Sequence, residues 1–140
     1  MAKMIRELVS KTPICVESSS PVAEAARQMR SADVGAVIVE EDNKPVGIVT
    51  DRDIAVRAVA QGLDPQSTPV SKICSHDLTT LPADDDIDHA VELMRQKHIR
   101  RIVVMDDQQH ALGVVSLGDL AIERDSRSVL GQISAAPSTQ

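Results

Sequence analysis

The sequence predicts an α/β (α+β) fold made of two copies of one β-α-β-β-α unit, and three observations carry that prediction. The stretch VAEAARQMRSADVGAVIVEEDNKPVGIVTDRDI, from Val22, aligns with IDHAVELMRQKHIRRIVVMDDQQHALGVVSLGDL, from Ile87. Ala25 meets Ala90, Met29 meets Met94, Val34 meets Ile99 and Val39 meets Val104. One extra residue is absorbed in a polar turn, where a repeated fold tolerates it, before Gly47 meets Gly113 and Asp53 meets Asp119. Second, the strand-to-helix turn GIVTDRDI recurs as GVVSLGDL. Third, each copy opens with apolar residues at helical spacing and continues with short β-branched runs.

The elements follow in order. Met1 to Ser10 suits a short amphipathic helix, so residues 1–9 are set apart as an N-terminal segment. The first repeat spans residues 10–61. It begins with the extended piece ICV and then a helix with Ser20 and Pro21 at its start, both favoured there. Val22, Ala25, Ala26 and Met29 fall on one helical face. GAVIVE and PVGIVT, joined by the turn EDNK, read as a buried hairpin, and DRDIAVRAVAQ as a closing helix. Residues 62–72, GLDPQSTPVSK, have a connector's composition. The second repeat, residues 73–125, runs through TTL, a helix opened by Asp85 and Asp86, a second hairpin and the helix LGDLAIER. Residues 126–140 end in SAAPSTQ, a tail expected to be partly mobile.

Composition narrows the function. A chain of 140 residues can bury a single-domain core without disulfide or metal. It contains no Phe, Tyr or Trp, so a bound base would be sandwiched by aliphatic side chains. A net charge of −6 argues against a nucleic-acid backbone as main partner. No apolar run reaches membrane-spanning length and MAKMIRELVSK lacks the features of a signal peptide, so a cytoplasmic location with no membrane partner is expected. Cys15 and Cys74 read as two free, partly buried thiols, and His76, His89, His98 and His110 show no metal-ligand spacing. No metal site is expected.

The turn Thr50-Asp51-Arg52-Asp53 has a plain reading: Thr50 caps a helix and Asp53 reaches back to complete a capping box. Ser116 and Asp119 fit identically. A second reading adds a ligand. A helix start at a strand end offers N–H groups and partial positive charge to a phosphate, and a fixed carboxylate beside it can accept hydrogen bonds from both hydroxyls of a ribose.

Through VGAVIV…VGIVTDRDI, IRRIVVMD…LGVVSLGDL and the connector GLDPQSTPVSKI, the span from about Ser10 to Arg124 resembles a tandem pair of cystathionine-β-synthase (CBS) domains. Such a pair is a Bateman module, here of the small stand-alone bacterial type. The resemblance implies two pseudo-symmetric repeats packed sheet to sheet, leaving two clefts. Each cleft would take the Ser/Thr and Asp of one repeat with the first strand and the helix-to-strand segment of the other. Cleft one would join Thr50 and Asp53 to Thr79, Ile99, Arg100 and Arg101; cleft two would join Ser116 and Asp119 to Ile14, Val34, Gly35 and Ala36. The arginines stand where nucleotide-binding relatives carry basic residues for phosphate, whereas Gly35 and Ala36 offer no such side chain. For either arginine singly, a solvated strand edge is an equally good reading. The sequence departs from many family members in having Ile38 and Val103 where they have Pro.

Nothing resembles an active site: no Ser–His–Asp or Cys–His arrangement and no phosphate-binding glycine loop is present, and Asp84 to Asp86 read as helix N-terminal charge. The expectation is a non-enzymatic regulatory sensor, requiring no cofactor, that binds AMP, ADP or ATP, with NAD and S-adenosylmethionine less favoured. It would act on an unidentified regulated protein or on its own assembly. The resemblance also implies a homodimer through the helices after each Ser/Thr-x-x-Asp motif, with Ile54, Ala55, Ala58, Leu120 and Ala121 as its apolar surface. Two other readings stay open: an interaction protein that binds no nucleotide, and a redox-responsive protein using Cys15 or Cys74.

Overall fold

A computed structural model describes residues 4–9 and 13–124, with side chains through residue 121. The expected tail at 126–140 lies outside these residues. The chain divides into two compact units. One holds strand β1 (Cys15–Glu17), helix α1 (Val22–Ala32), strands β2 (Ala36–Glu41) and β3 (Lys44–Thr50), helix α2 (Asp51–Asp53) and the connector. The other holds β4 (Thr80–Pro82), α3 (Ile87–Lys97), β5 (Arg101–Met105), β6 (Ala111–Ser116) and α4 (Leu117–Arg124). Each unit is thus β-α-β-β-α, as the repeat requires.

Each unit carries one three-stranded sheet, ordered β1-β2-β3 and β4-β5-β6. β1 runs parallel to β2, with Cys15 opposite Ile38, and β4 parallel to β5, with Thr80 opposite Val103. A helix makes each of these parallel crossovers, as strand geometry demands. β2 and β3 are antiparallel and turn on Asp42 and Asn43, both in the left-handed region at φ 52° and 64°. Two such residues make the tight hairpin turn whose twist matches its strands, tighter than the expected EDNK. The register slips between Val39, opposite Gly47, and Glu40, opposite Pro45, a bulge that accommodates the proline.

Helical spacing decides which side chains are buried. On α1, Val22, Ala25 and Met29 pack with Val37, Val39 and Val49 of the sheet; on α3, Ile87, Ala90 and Met94 pack with Ile102, Val104 and Val115. Fully burying one such Val, Ile or Met contributes roughly 1.5–3 kcal/mol. Asp86 caps α3, accepting a hydrogen bond from the His89 N–H at 2.7 Å. α1 differs from expectation. Pro21 holds its N-cap position without a side-chain hydrogen bond, and the amides of Val22 and Ala23 donate instead to the Thr68 and Pro65 carbonyls. The connector therefore performs the capping that Ser20 was expected to do, and Val70, Ile73 and Cys74 enter the same core.

The helix after β3 also departs from expectation. Its α-helical start, Asp51–Asp53, passes into a π-helical segment at Ile54–Val59. There the Ala60 N–H donates to the Ala55 carbonyl and the Leu63 N–H to that of Ala58, five residues back. At the other end of the chain, Ile5–Leu8 forms a 3-10 turn, and Ile5 is fully buried in the core of the second repeat's unit. Its amide donates to the Asp85 carbonyl at 2.9 Å and that of Arg6 to the Ala83 carbonyl at 3.0 Å.

Candidate functional site

Both Ser/Thr-x-x-Asp turns close as capping boxes. The Thr50 N–H donates to Asp53 Oδ2 at 2.9 Å and the Asp53 N–H to Thr50 Oγ1 at 3.1 Å. Ser116 and Asp119 repeat this with the same two distances. The plain reading of the motif is therefore correct in both copies. Each box commits one carboxylate oxygen, leaving Oδ1 for any other partner.

The segment entering the middle strand is set by the helix before it. α1 ends on Asp33 and α3 on His98, both left-handed at φ 54° and 55°, and the Val34 and Ile99 amides fold back onto the Met29 and Met94 carbonyls at 3.1 Å. That reversal aims the next residues at the capping box of the same repeat. The Asp51 N–H donates to the Gly35 carbonyl at 3.0 Å, and the Leu117 N–H to the Arg100 carbonyl at 2.8 Å. Ala36 pairs directly with Thr50 across the sheet.

Strand directions complete the set. β1 and β2 begin, and β3 ends, at one edge of its sheet, which gathers Ile14, Val34, Gly35, Ala36, Thr50 and Asp53. In the other unit the hydrogen bonds from Val103 to Thr79 and from Leu117 to Arg100 join Thr79, Ile99, Arg100 and Arg101 to the Ser116–Asp119 turn. Every expected site residue thus lies at a sheet end beside a capping box, grouped within its own repeat. Around Thr50 the chain offers Gly35 and Ala36; around Ser116 it offers exposed Arg100 and half-buried Arg101. Ile38 and Val103 have a role that Pro would forfeit. Their amides donate to the Ile14 and Thr79 carbonyls at 2.9 and 3.0 Å.

The two aspartates differ in their surroundings. Asp53 Oδ1 lies 3.8 Å from Arg57 Nε, and Arg57 Nη1 donates to the Ile73 carbonyl at 3.4 Å. Asp119 is exposed and has no such cation among the described residues. Arg57 escaped the sequence reading, although its spacing four residues after Asp53 on a helix is a usable signal.

The thiols are held protonated. Burial, then the hydrogen bond to Glu40 and its charge, push the Cys15 thiol up to about 12, and burial raises that of Cys74. Neither environment suits a reactive thiolate. Cys74 Sγ lies 3.6 Å from His76 Nε2, a pairing that the spacing of cysteines and histidines did not reveal because the loop after the connector creates it. Among the described residues no three His, Cys, Asp or Glu side chains gather as a metal site, and no helix is long and apolar enough to cross a membrane.

Of the residues expected to form an assembly surface, Ala58 and Leu120 are instead buried in the cores of their units, because they lie on the inward helical faces. Among the described residues the large apolar side chains exposed on these helices are Val56, Val59 and Leu117, and Ala55 is exposed as expected.

The profile of the family described as CBS domain matches residues 5–59 and 70–125. The CBS domain-containing protein YhcV of Bacillus subtilis is 37% identical over 127 residues, covering 91% of this chain and 89% of its own. Among solved structures, the CBS domain protein PAE2072 from Pyrobaculum aerophilum, complexed with AMP, superposes with a TM-score of 0.78 at 30% identity, covering 96% of this chain and all of that one. The CBS domain pair of protein MJ0100, in complex with 5-methylthioadenosine and S-adenosyl-L-methionine, gives a TM-score of 0.80 at 25% identity, covering 91% of this chain and all of that one.

Proposed function

The chain belongs to the CBS domain family, and from that premise we propose that it is a regulatory module that binds an adenine nucleotide at the capped sheet ends and changes a partner or its own assembly. One observation carries this reading: the Leu117 N–H donates to the Arg100 carbonyl at 2.8 Å, which ties the backbone at Arg100, and with it the neighbouring Arg101, to the Ser116–Asp119 turn. The two arginines and the Asp119 carboxylate thus belong to one sheet end, and the capping box takes only Oδ2 of that carboxylate. A ribose diol donates to that carboxylate, the guanidinium groups take the phosphate, and aliphatic residues such as Ile99 flank the base. This reading assigns the phosphate to the second repeat's own turn. The Thr50–Asp53 end, lined by Gly35 and Ala36, suits an adenosine-like group without strong phosphate contacts. AMP-bound and S-adenosylmethionine-bound relatives support the ligand class.

The same reading includes a homodimer through the helices after the two turns, with Val56 and Val59 as its apolar contacts. Val59 is 67% and Val56 46% exposed on the same helix that buries Ala58, so these valines are available to a second copy.

Calorimetric titration with AMP, ADP, ATP, NAD and S-adenosylmethionine tests the proposal. Saturable binding of at least one adenine nucleotide is expected. Its absence at millimolar concentration for the whole panel would leave an interaction protein as the better reading.

A further inference from the structure

We propose that Arg57 is a positioning residue that latches the first repeat's turn to the segment just after the connector, so that a ligand hydroxyl taking Asp53 Oδ1 has to displace it. The Asp53 carboxylate has two oxygens and the capping box uses one, Oδ2. The other faces Arg57 Nε, while the same guanidinium donates from Nη1 to the Ile73 carbonyl. The Asp53 side chain is only 16% exposed, so few other groups can reach it, whereas that of Arg57 is 55% exposed and can swing into water.

The contacts form a closed circuit. From Ile73 the chain continues through buried Cys74 to Ser75, which exchanges two hydrogen bonds with Ile48 at 2.9 and 3.1 Å. Ile48 lies in β3, whose last residue is Thr50, the partner of Asp53. Gly47 lets Ser75 come this close, since a Cβ there would collide with the Ser75 carbonyl oxygen. Occupation of Asp53 is thereby linked to the strand and to the segment from Ile73 to Ser75 that follows the connector. The second repeat carries Glu123 where the first has Arg57, an acid that cannot make this latch. The first turn is held by its own cation; among the described residues the second has no counterpart.

The inference rests on the nucleotide reading only for the identity of the displacing ligand, and the test separates the two. Amide hydrogen exchange at Ser75 and Ile48 is followed by NMR in the ligand-free wild type, Asp53→Asn, Arg57→Gln and the double variant. Each single change should speed exchange at both amides about threefold, and the double change no further than either alone, the mark of one shared contact. About 0.5 M salt should speed exchange in the wild type and leave Arg57→Gln unchanged, which a purely packing role would not do. Arg57→Lys should restore part of the protection. Unchanged exchange in Arg57→Gln, or additive effects of the two substitutions, would overturn the latch. Adenosine supplies the second arm. Arg57→Gln should bind it about threefold more tightly because no guanidinium is displaced, and adenosine should speed Ser75 exchange in the wild type alone. Weaker binding by Arg57→Gln would overturn the displacement. If the wild type binds neither adenosine nor any adenine nucleotide, the nucleotide reading fails and the exchange cycle decides the latch.

Discussion

Thr50 and Asp53 satisfy each other: the amide of Thr50 donates to the Asp53 carboxylate at 2.9 Å while the amide of Asp53 donates to the Thr50 hydroxyl at 3.1 Å. Two helix-start donors that would lack partners are thereby paired. Thr50→Ala should cost about 1 kcal/mol, the usual scale for a lost N-cap, and Ser116→Ala a similar amount. Urea unfolding checks both. A midpoint equal to the wild type's would show that the boxes contribute nothing to stability.

Gly47 is required by a close approach. A Cβ there would meet the Ser75 carbonyl oxygen and come near Cys74 Sγ, and neither can withdraw without breaking the Ile48–Ser75 bridge or disturbing the core. Gly47→Ala should destabilise by about 1–3 kcal/mol, the cost of overpacking. It should also expose the Ser75 amide to exchange. A variant as stable as the wild type would mean that the segment at Cys74 and Ser75 shifts freely.

Ile5 ties the N-terminal segment to a core formed mainly by residues beyond Thr79. Ile5→Ala should lose about 2–5 kcal/mol, as for other large-to-small changes in closed cores. A loss below about 0.5 kcal/mol in urea unfolding, the range of ordinary surface substitutions, would show that the segment is dispensable.

Arg101→Ala should weaken AMP binding more than adenosine binding. A charge-assisted hydrogen bond contributes about 1.5–3 kcal/mol, or roughly ten- to a hundredfold in affinity, well within calorimetric resolution. Equal losses for the two ligands would place Arg101 away from the phosphate.

Cys15 makes stability depend on alkaline pH. Its thiol is raised from 9.0 to about 12 in the folded protein by burial and by Glu40. Between those values the unfolded chain has lost the proton and the native state still holds it, so stability falls as pH rises from about 9 toward 12. Cys15→Ala should make that part of the profile shallower, leaving the contribution of Cys74, whose thiol burial also raises, and iodoacetamide should alkylate native Cys15 slowly at pH 8. Rapid alkylation would revive the redox reading.

What the sequence determined by itself was local in cause. Periodicity placed α1, α3 and the core faces carried by Met29 and Met94, because a helix buries every third or fourth residue wherever it packs. The capping boxes were legible because their partners are three residues apart, and the hairpin because a short polar turn separates two apolar runs, although the structure tightens that turn to Asp42-Asn43. Tertiary structure decided the rest through groups distant in sequence. Ser20 yields the capping of α1 to carbonyls at Pro65 and Thr68, which reach it only when the connector folds back. Ile5 finds its core beside Leu81 and Ile102, and Arg100 joins Leu117 only once β5 and β6 are neighbours. The π-helical segment at Ile54–Val59 has no marker in residue type, since these residues suit an α-helix equally well. The sequence therefore specified which turns exist and what chemistry they carry. Long-range packing chose which side chains face them, because that choice depends on chain paths that no local hydrogen bond or period encodes.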